Sequence, residues 1–167
     1  MIKTPLSLMT ILRCAALASA LSLGAAFIAQ YGFGLMPCEL CMLQRAPYAL
    51  IMVIALLGHW KPRLRTGLVV ITGLLFALEG GLASYHSAVE KQLVSGPSGC
   101  TVSAAAAGET AEDFLKKIEH APIVACDQSA WDFHGITMAA LNALWSFMLS
   151  TLTFAALQQS RKKMPHA

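Results

Sequence analysis

The residues best suited to chemistry are Cys38 and Cys41, within Pro37-Cys38-Glu39-Leu40-Cys41-Met42-Leu43-Gln44-Arg45. Two intervening residues let both sulfurs close one short disulfide, and this spacing predicts that the second cysteine starts a helix. A helix N-terminus favours thiolate, and a free thiol pKa of about 8.5 falls well below that value in such a place. Arg45 follows Cys41 by four positions, which on a helix puts its guanidinium on the face of Cys41. A permanent cation there stabilises a thiolate and draws electron density from an acceptor docked above the sulfur. Zinc sites use the same cysteine spacing, usually twice or with histidines nearby, but the chain has no second Cys-x-x-Cys. Haem attachment requires His directly after the second cysteine, where Met42 stands. The pattern favours redox chemistry over metal binding.

The elements that hold this pair are apolar. Of 167 residues only 13% are charged and 56% are hydrophobic, whereas soluble domains carry about 25% charged residues. No residue from Cys14 to Cys38 is charged; further apolar runs follow at Ala46–Trp60, at Thr66–Tyr85 broken by Glu79, and at Phe133–Ser160. Each suits a membrane span of about 20 residues. The expected fold is all-α: a single integral membrane domain over residues 1–167, a four-transmembrane-helix bundle. Its spans cover about 11–31, 42–60, 66–86 and 135–158, with cysteine-bearing loops at about 32–41 and 87–134 and a short loop at about 61–65. Ala18-Ser19-Ala20 resembles a signal cleavage site, but the uncharged run exceeds a signal core of about 7–15 residues, so the first span reads as uncleaved.

Charge orients the bundle. Lys3, Arg13, Lys61, Arg63, Arg65, Arg161, Lys162 and Lys163 fall on one side with no acidic residue, while the two opposite loops hold eight of the nine Asp and Glu residues. The positive-inside rule puts both termini in the cytoplasm and both acidic loops outside. The net charge of +3 therefore marks topology anchors, not a nucleic-acid surface. Cys38, Cys41, Cys100 and Cys126 then share the oxidising side, where disulfides persist, and Cys14 lies alone across the membrane, packing as a small apolar residue.

Among other candidates, Glu79 is the one acidic residue at membrane depth, so it faces the bundle and either handles protons, shapes a site or satisfies a structural hydrogen bond. His86 ends the third span, level with Cys41 and Arg45 if the helices are antiparallel neighbours. It would be either an interfacial polar cap or a contact for a bound acceptor. The second outer loop has a Gly96-Pro97-Ser98-Gly99 turn before Cys100, then amphipathic spacing over Glu109–His120. Too small for its own core, that loop would be closed by a Cys100–Cys126 bridge, as a structural staple or a redox pair. Trp131 and Phe133 suggest a belt resting on the bilayer, and Trp145 suggests packing or the wall of an apolar ligand groove.

Two cysteine pairs on one oxidising face, one in a loop and one at the membrane, can form a relay by thiol–disulfide exchange. No flavin, nicotinamide or haem motif is present, so the expected acceptor is a membrane quinone. The chain resembles the DsbB family of bacterial inner-membrane disulfide-generating proteins. That resemblance rests on Pro37-Cys38-x-x-Cys41 followed by Gln44-Arg45, Tyr85-His86 with Glu90, Gly-Pro before Cys100, and Cys126 followed by Trp131-x-Phe133-x-Gly135. It implies that a reduced DsbA-like periplasmic thioredoxin-fold protein attacks Cys100 and becomes oxidised. Cys126 would then exchange with Cys38, leaving Cys41 as the thiolate that donates to ubiquinone or menaquinone. Arg45 would stabilise the charged quinone adduct, with His86 near the ring and Gln44, Glu79 and Glu90 as further candidates.

Three other readings compete. A vitamin K epoxide reductase-type protein carries its Cys-x-x-Cys late in the chain, unlike this one. A four-thiolate metal site would use the same four cysteines. A structural four-helix protein with one stapled loop would leave the Cys-x-x-Cys unexplained.

Overall fold

A computed structural model describes residues 7–97 and 124–162. Cys100, the Ser98-Gly99 part of the turn and the amphipathic stretch Glu109–His120 lie outside the described residues. The chain forms helix α1 (Leu8–Phe27), a π-helical turn (Ile28–Gly32), a short α2 (Glu39–Leu43), α3 (Arg45–Trp60) and a 3-10 turn (Pro62–Leu64). Helix α4 (Arg65–Glu90), a hairpin of β1 (Asp132–Phe133) and β2 (Ile136–Thr137), and α5 (Met138–Lys162) complete it.

Four stretches are long and apolar enough to cross a membrane: Leu8–Gly32, Glu39–Trp60, Pro62–Glu90 and Met138–Lys162. Their outward faces carry Leu17, Leu21, Leu56, Leu78 and Leu144, all exposed. A surface so apolar on every side suits lipid, not water. The expected all-α four-helix bundle is therefore the observed one, and the chain is a multi-pass membrane protein.

Inside the bundle, packing relies on small and polar residues, because burying Leu against Leu gains little when lipid is equally apolar. Helices α4 and α5 share the most extensive interface. Gly73 receives the ring of Phe154 and Gly80 that of Phe147; a Cβ at either glycine would lie within 3 Å of ring carbons. The Ser150 hydroxyl donates across this interface to the Gly73 carbonyl at 2.9 Å. Buried residues stack in three layers along the bundle. Ile11, Leu12, Ile54, Val69 and Leu157 pack at one end, Ala15, Tyr48, Ile51 and Phe76 in the middle, and Cys38, Leu40, Val89 and Cys126 at the other.

The fourth helix begins later than its apolar run, which starts at Phe133. His134 and Gly135 both take positive φ, 53° and 82°, and turn the chain into a hairpin pairing Asp132 with Thr137 and Phe133 with Ile136. Asp132 Oδ1 accepts the Gly135 amide at 3.0 Å, and Thr137 Oγ1 accepts the Ala140 amide, capping α5. Cys14 is exposed on the outer surface of α1 and does not pack in the interior.

Candidate active site

Pro37 leads into an extended Cys38, whose φ of −78° and ψ of 175° make it the N-cap of α2. The helix thus starts at the first cysteine, one turn before the position expected from the motif, and Cys41 lies inside it. This puts both sulfurs on one side of the turn, 3.1 Å apart. Cys38 Sγ also accepts the Cys41 backbone N–H at 3.3 Å and faces His86 Nε2 at 3.4 Å. His86 comes from the far end of α4. Its Nδ1 lies 3.3 Å from Gln44 Oε1, which holds the ring with Nε2 facing the sulfur. Glu90, one turn on, approaches the same Nε2 at 3.8 Å.

These contacts converge on Cys38. The hydrogen bond from the Cys41 thiol lowers its pKa most. Burial pushes it upward, but the Cys41 thiol, with His86 and the Cys41 amide adding to it, outweighs that cost and brings the thiol from 9.0 to about 4. In the reduced pair the negative charge therefore falls on Cys38, while Cys41 holds the shared proton.

Arg45 does not simply share the Cys41 face. The chain turns at Gln44 between α2 and α3, and Arg45 Nη1 donates to Gln30 Oε1 at 2.8 Å, with its guanidinium carbon 5.0 Å from the Phe27 ring centroid. Gln30 lies in the π-helical turn that ends α1. Such turns recur at functional sites.

Of these groups, Cys38, Cys41, Gln44, Arg45, His86 and Glu90 line one cavity of about 530 Å³. Small apolar residues of α1 form one wall, and Tyr48, Asn142 and Trp145 continue it into the bundle. Trp145 is thus part of a groove wall, with its indole N–H donating to Ser22 Oγ at 3.0 Å. Glu79 is fully buried beneath the cavity and accepts from Asn142 Nδ2 at 2.8 Å. Cys126 is disulfide-bonded and packs in the same buried cluster as Cys38. Gln30, Tyr48 and Asn142 were not legible as site residues, since an uncharged polar residue in an apolar run carries no motif.

A membrane bundle presenting a thiol of lowered pKa beside a second thiol, with a disulfide-bonded cysteine in the same buried cluster, fits a thiol–disulfide oxidoreductase of the membrane. The family model described as "Disulfide bond formation protein DsbB" matches residues 9–156, and the chain belongs to that family. It is 30% identical over 147 residues to "Disulfide bond formation protein B" of Nitrosospira multiformis, covering 81% of this chain and 82% of that one. It is also 27% identical over 132 residues to "Uncharacterized protein RP370" of Rickettsia prowazekii, covering 78% and 77% respectively. No solved structure matches it. Membership of the family makes the chain an oxidoreductase of disulfide-bond formation.

Proposed function

We propose that this chain is a protein-dithiol:quinone oxidoreductase of the bacterial inner membrane, reoxidising a DsbA-like periplasmic protein at the expense of ubiquinone or menaquinone. The observation that carries the reading is the meeting of the Cys38–Cys41 pair with a mostly apolar cavity of about 530 Å³, within the range of small-ligand sites. The lining also fits a polar headgroup, because Gln44 Nε2 and Glu90 Oε2 are buried there without partners among the described residues.

A quinone supplies the acceptor chemistry, taking up two electrons and two protons as the dithiol becomes a disulfide. The chain's own groups do the rest. Cys100 and Cys126 meet the periplasmic dithiol; Cys126, in the same buried cluster as Cys38, then exchanges with it and releases Cys41 towards the cavity. Lowering of the Cys38 pKa by Cys41 and His86 keeps a thiolate available in the reduced pair for re-forming the bridge. Arg45, held by Gln30, supplies the fixed cation, and His86, held by Gln44, orients toward the sulfur. The distribution of basic residues supports cytoplasmic termini and a periplasmic dithiol.

Quinone reduction by purified protein, with a reduced periplasmic dithiol protein as donor, tests the proposal. Activity lost in both Cys41→Ser and Cys100→Ser would support the relay; survival in Cys100→Ser would reduce the loop pair to a staple. A second reading is metal binding, since one ligand atom from each of Cys38, Cys41 and His86 lies within 4.8 Å of the others. Stoichiometric tightly bound zinc without quinone reduction would favour it.

A further inference from the structure

Below the thiols, the apolar cavity meets a buried polar chain. Tyr48 Oη, on α3, lies 2.6 Å from Asn142 Oδ1 and 2.7 Å from Ser146 Oγ, both on α5. Asn142 Nδ2 donates to Glu79 Oε1, on α4, at 2.8 Å. Tyr48, Ser146 and Glu79 are buried, whereas Asn142 is half-buried and, with Tyr48, lines the cavity. Polar groups are costly at membrane depth. This chain does not satisfy itself either, because Glu79 Oε2 has no partner among the described residues.

An amide has two N–H donors and a carbonyl with two lone pairs. Tyr48 and Glu79 engage one of each on Asn142 and fix which end faces which helix. Among the described residues, one N–H and one lone pair of Asn142 stay uncommitted on the cavity wall. The geometry points to Asn142 as the residue that recognises the headgroup of a membrane quinone, with Tyr48 and Glu79 as its positioning residues; this rests on the quinone reading above. The free N–H suits the carbonyl of the oxidised ring, an acceptor. The free lone pair suits the hydroxyl of the reduced ring, a donor. One fixed amide therefore serves both oxidation states, and it makes or breaks no bond. Electrons and protons still pass from the dithiol.

The test is steady-state quinone reduction by the purified full chain, with a short-chain ubiquinone analogue and a reduced dithiol protein. Asn142→Leu is expected to raise KM for the quinone about five- to tenfold while leaving KM for the protein donor unchanged. Glu79→Leu should raise quinone KM as well. Glu79→Gln keeps an acceptor oxygen for Asn142 and should restore nearly wild-type KM, a rescue that loss of packing alone would not give. If Asn142→Leu fails to fold, Tyr48→Phe carries the test with a smaller rise in quinone KM. Unchanged quinone KM in the folded variants, with active wild type, overturns the role of Asn142. No quinone reduction by wild type would instead overturn the quinone reading itself.

Discussion

His86 Nε2 stands 3.4 Å from Cys38 Sγ, joining residues 48 positions apart in the chain. The contact brings the far end of α4 onto the cap of α2 and helps hold the negative charge of the reduced pair on Cys38. Its first consequence is a pH profile.

An ordinary thiol loses about tenfold in alkylation rate for each pH unit below its pKa. Cys38, at about 4, should alkylate at a nearly constant rate from pH 8 down to about pH 5 in the reduced chain. His86→Ala should restore a visible pH slope. The linkage has a definite sign: the pKa is lowered on folding, so the stabilisation is fully present above 9.0 and lost as pH falls through about 4. Acid unfolding of the reduced chain, compared with Cys38→Ser, checks this.

Arg45 depends on its tether. Because Gln30 Oε1 accepts from Nη1 at 2.8 Å, Gln30→Leu should raise KM for quinone about threefold to tenfold. Arg45→Met should cost more. The double variant should cost little beyond Arg45→Met alone, because the two side chains act as a unit.

Helix packing gives a stability prediction. A Cβ at Gly80 would lie 2.9 Å from the Phe147 ring and one at Gly73 2.7 Å from Phe154, while at Gly24 nothing lies within 4 Å. Gly73→Ala and Gly80→Ala should each destabilise the bundle by about 1–3 kcal/mol, with Gly24→Ala neutral, as read by thermal unfolding in detergent.

Zinc should inhibit the reduced chain reversibly, because Cys38, Cys41 and His86 already lie within reach of one ion. A chelator should restore activity, and His86→Ala should weaken inhibition about tenfold or more. Inhibition that His86→Ala leaves unchanged would place the metal elsewhere.

Cys14, exposed on the lipid-facing surface of α1, should tolerate Ala with a stability change under about 0.5 kcal/mol and full quinone reductase activity.

Much of this protein was decided locally. The shortage of charge and four apolar runs determined the bundle, since a bilayer leaves helices as the simplest way to satisfy a spanning backbone. Cys38 and Cys41 announced redox chemistry because their spacing is contained within one helical turn. The late start of α5 was also local, but hidden: His134-Gly135 makes a hairpin inside an apolar run. Other relationships span several elements. Arg45 is four residues from Cys41, yet its hydrogen-bonding partner is Gln30, fifteen positions back. Gln44 meets His86, Tyr48 meets Asn142, and Glu79 finds its donor 63 positions later. Periodicity says which face of a helix is apolar but not which polar side chain on a neighbouring helix stands opposite it. That is settled by the rotation and depth of each helix, which depend on close contacts such as Gly80 against Phe147. The sequence therefore determined the bundle and its redox pair; only tertiary packing decided which side chains surround that pair and what they can hold.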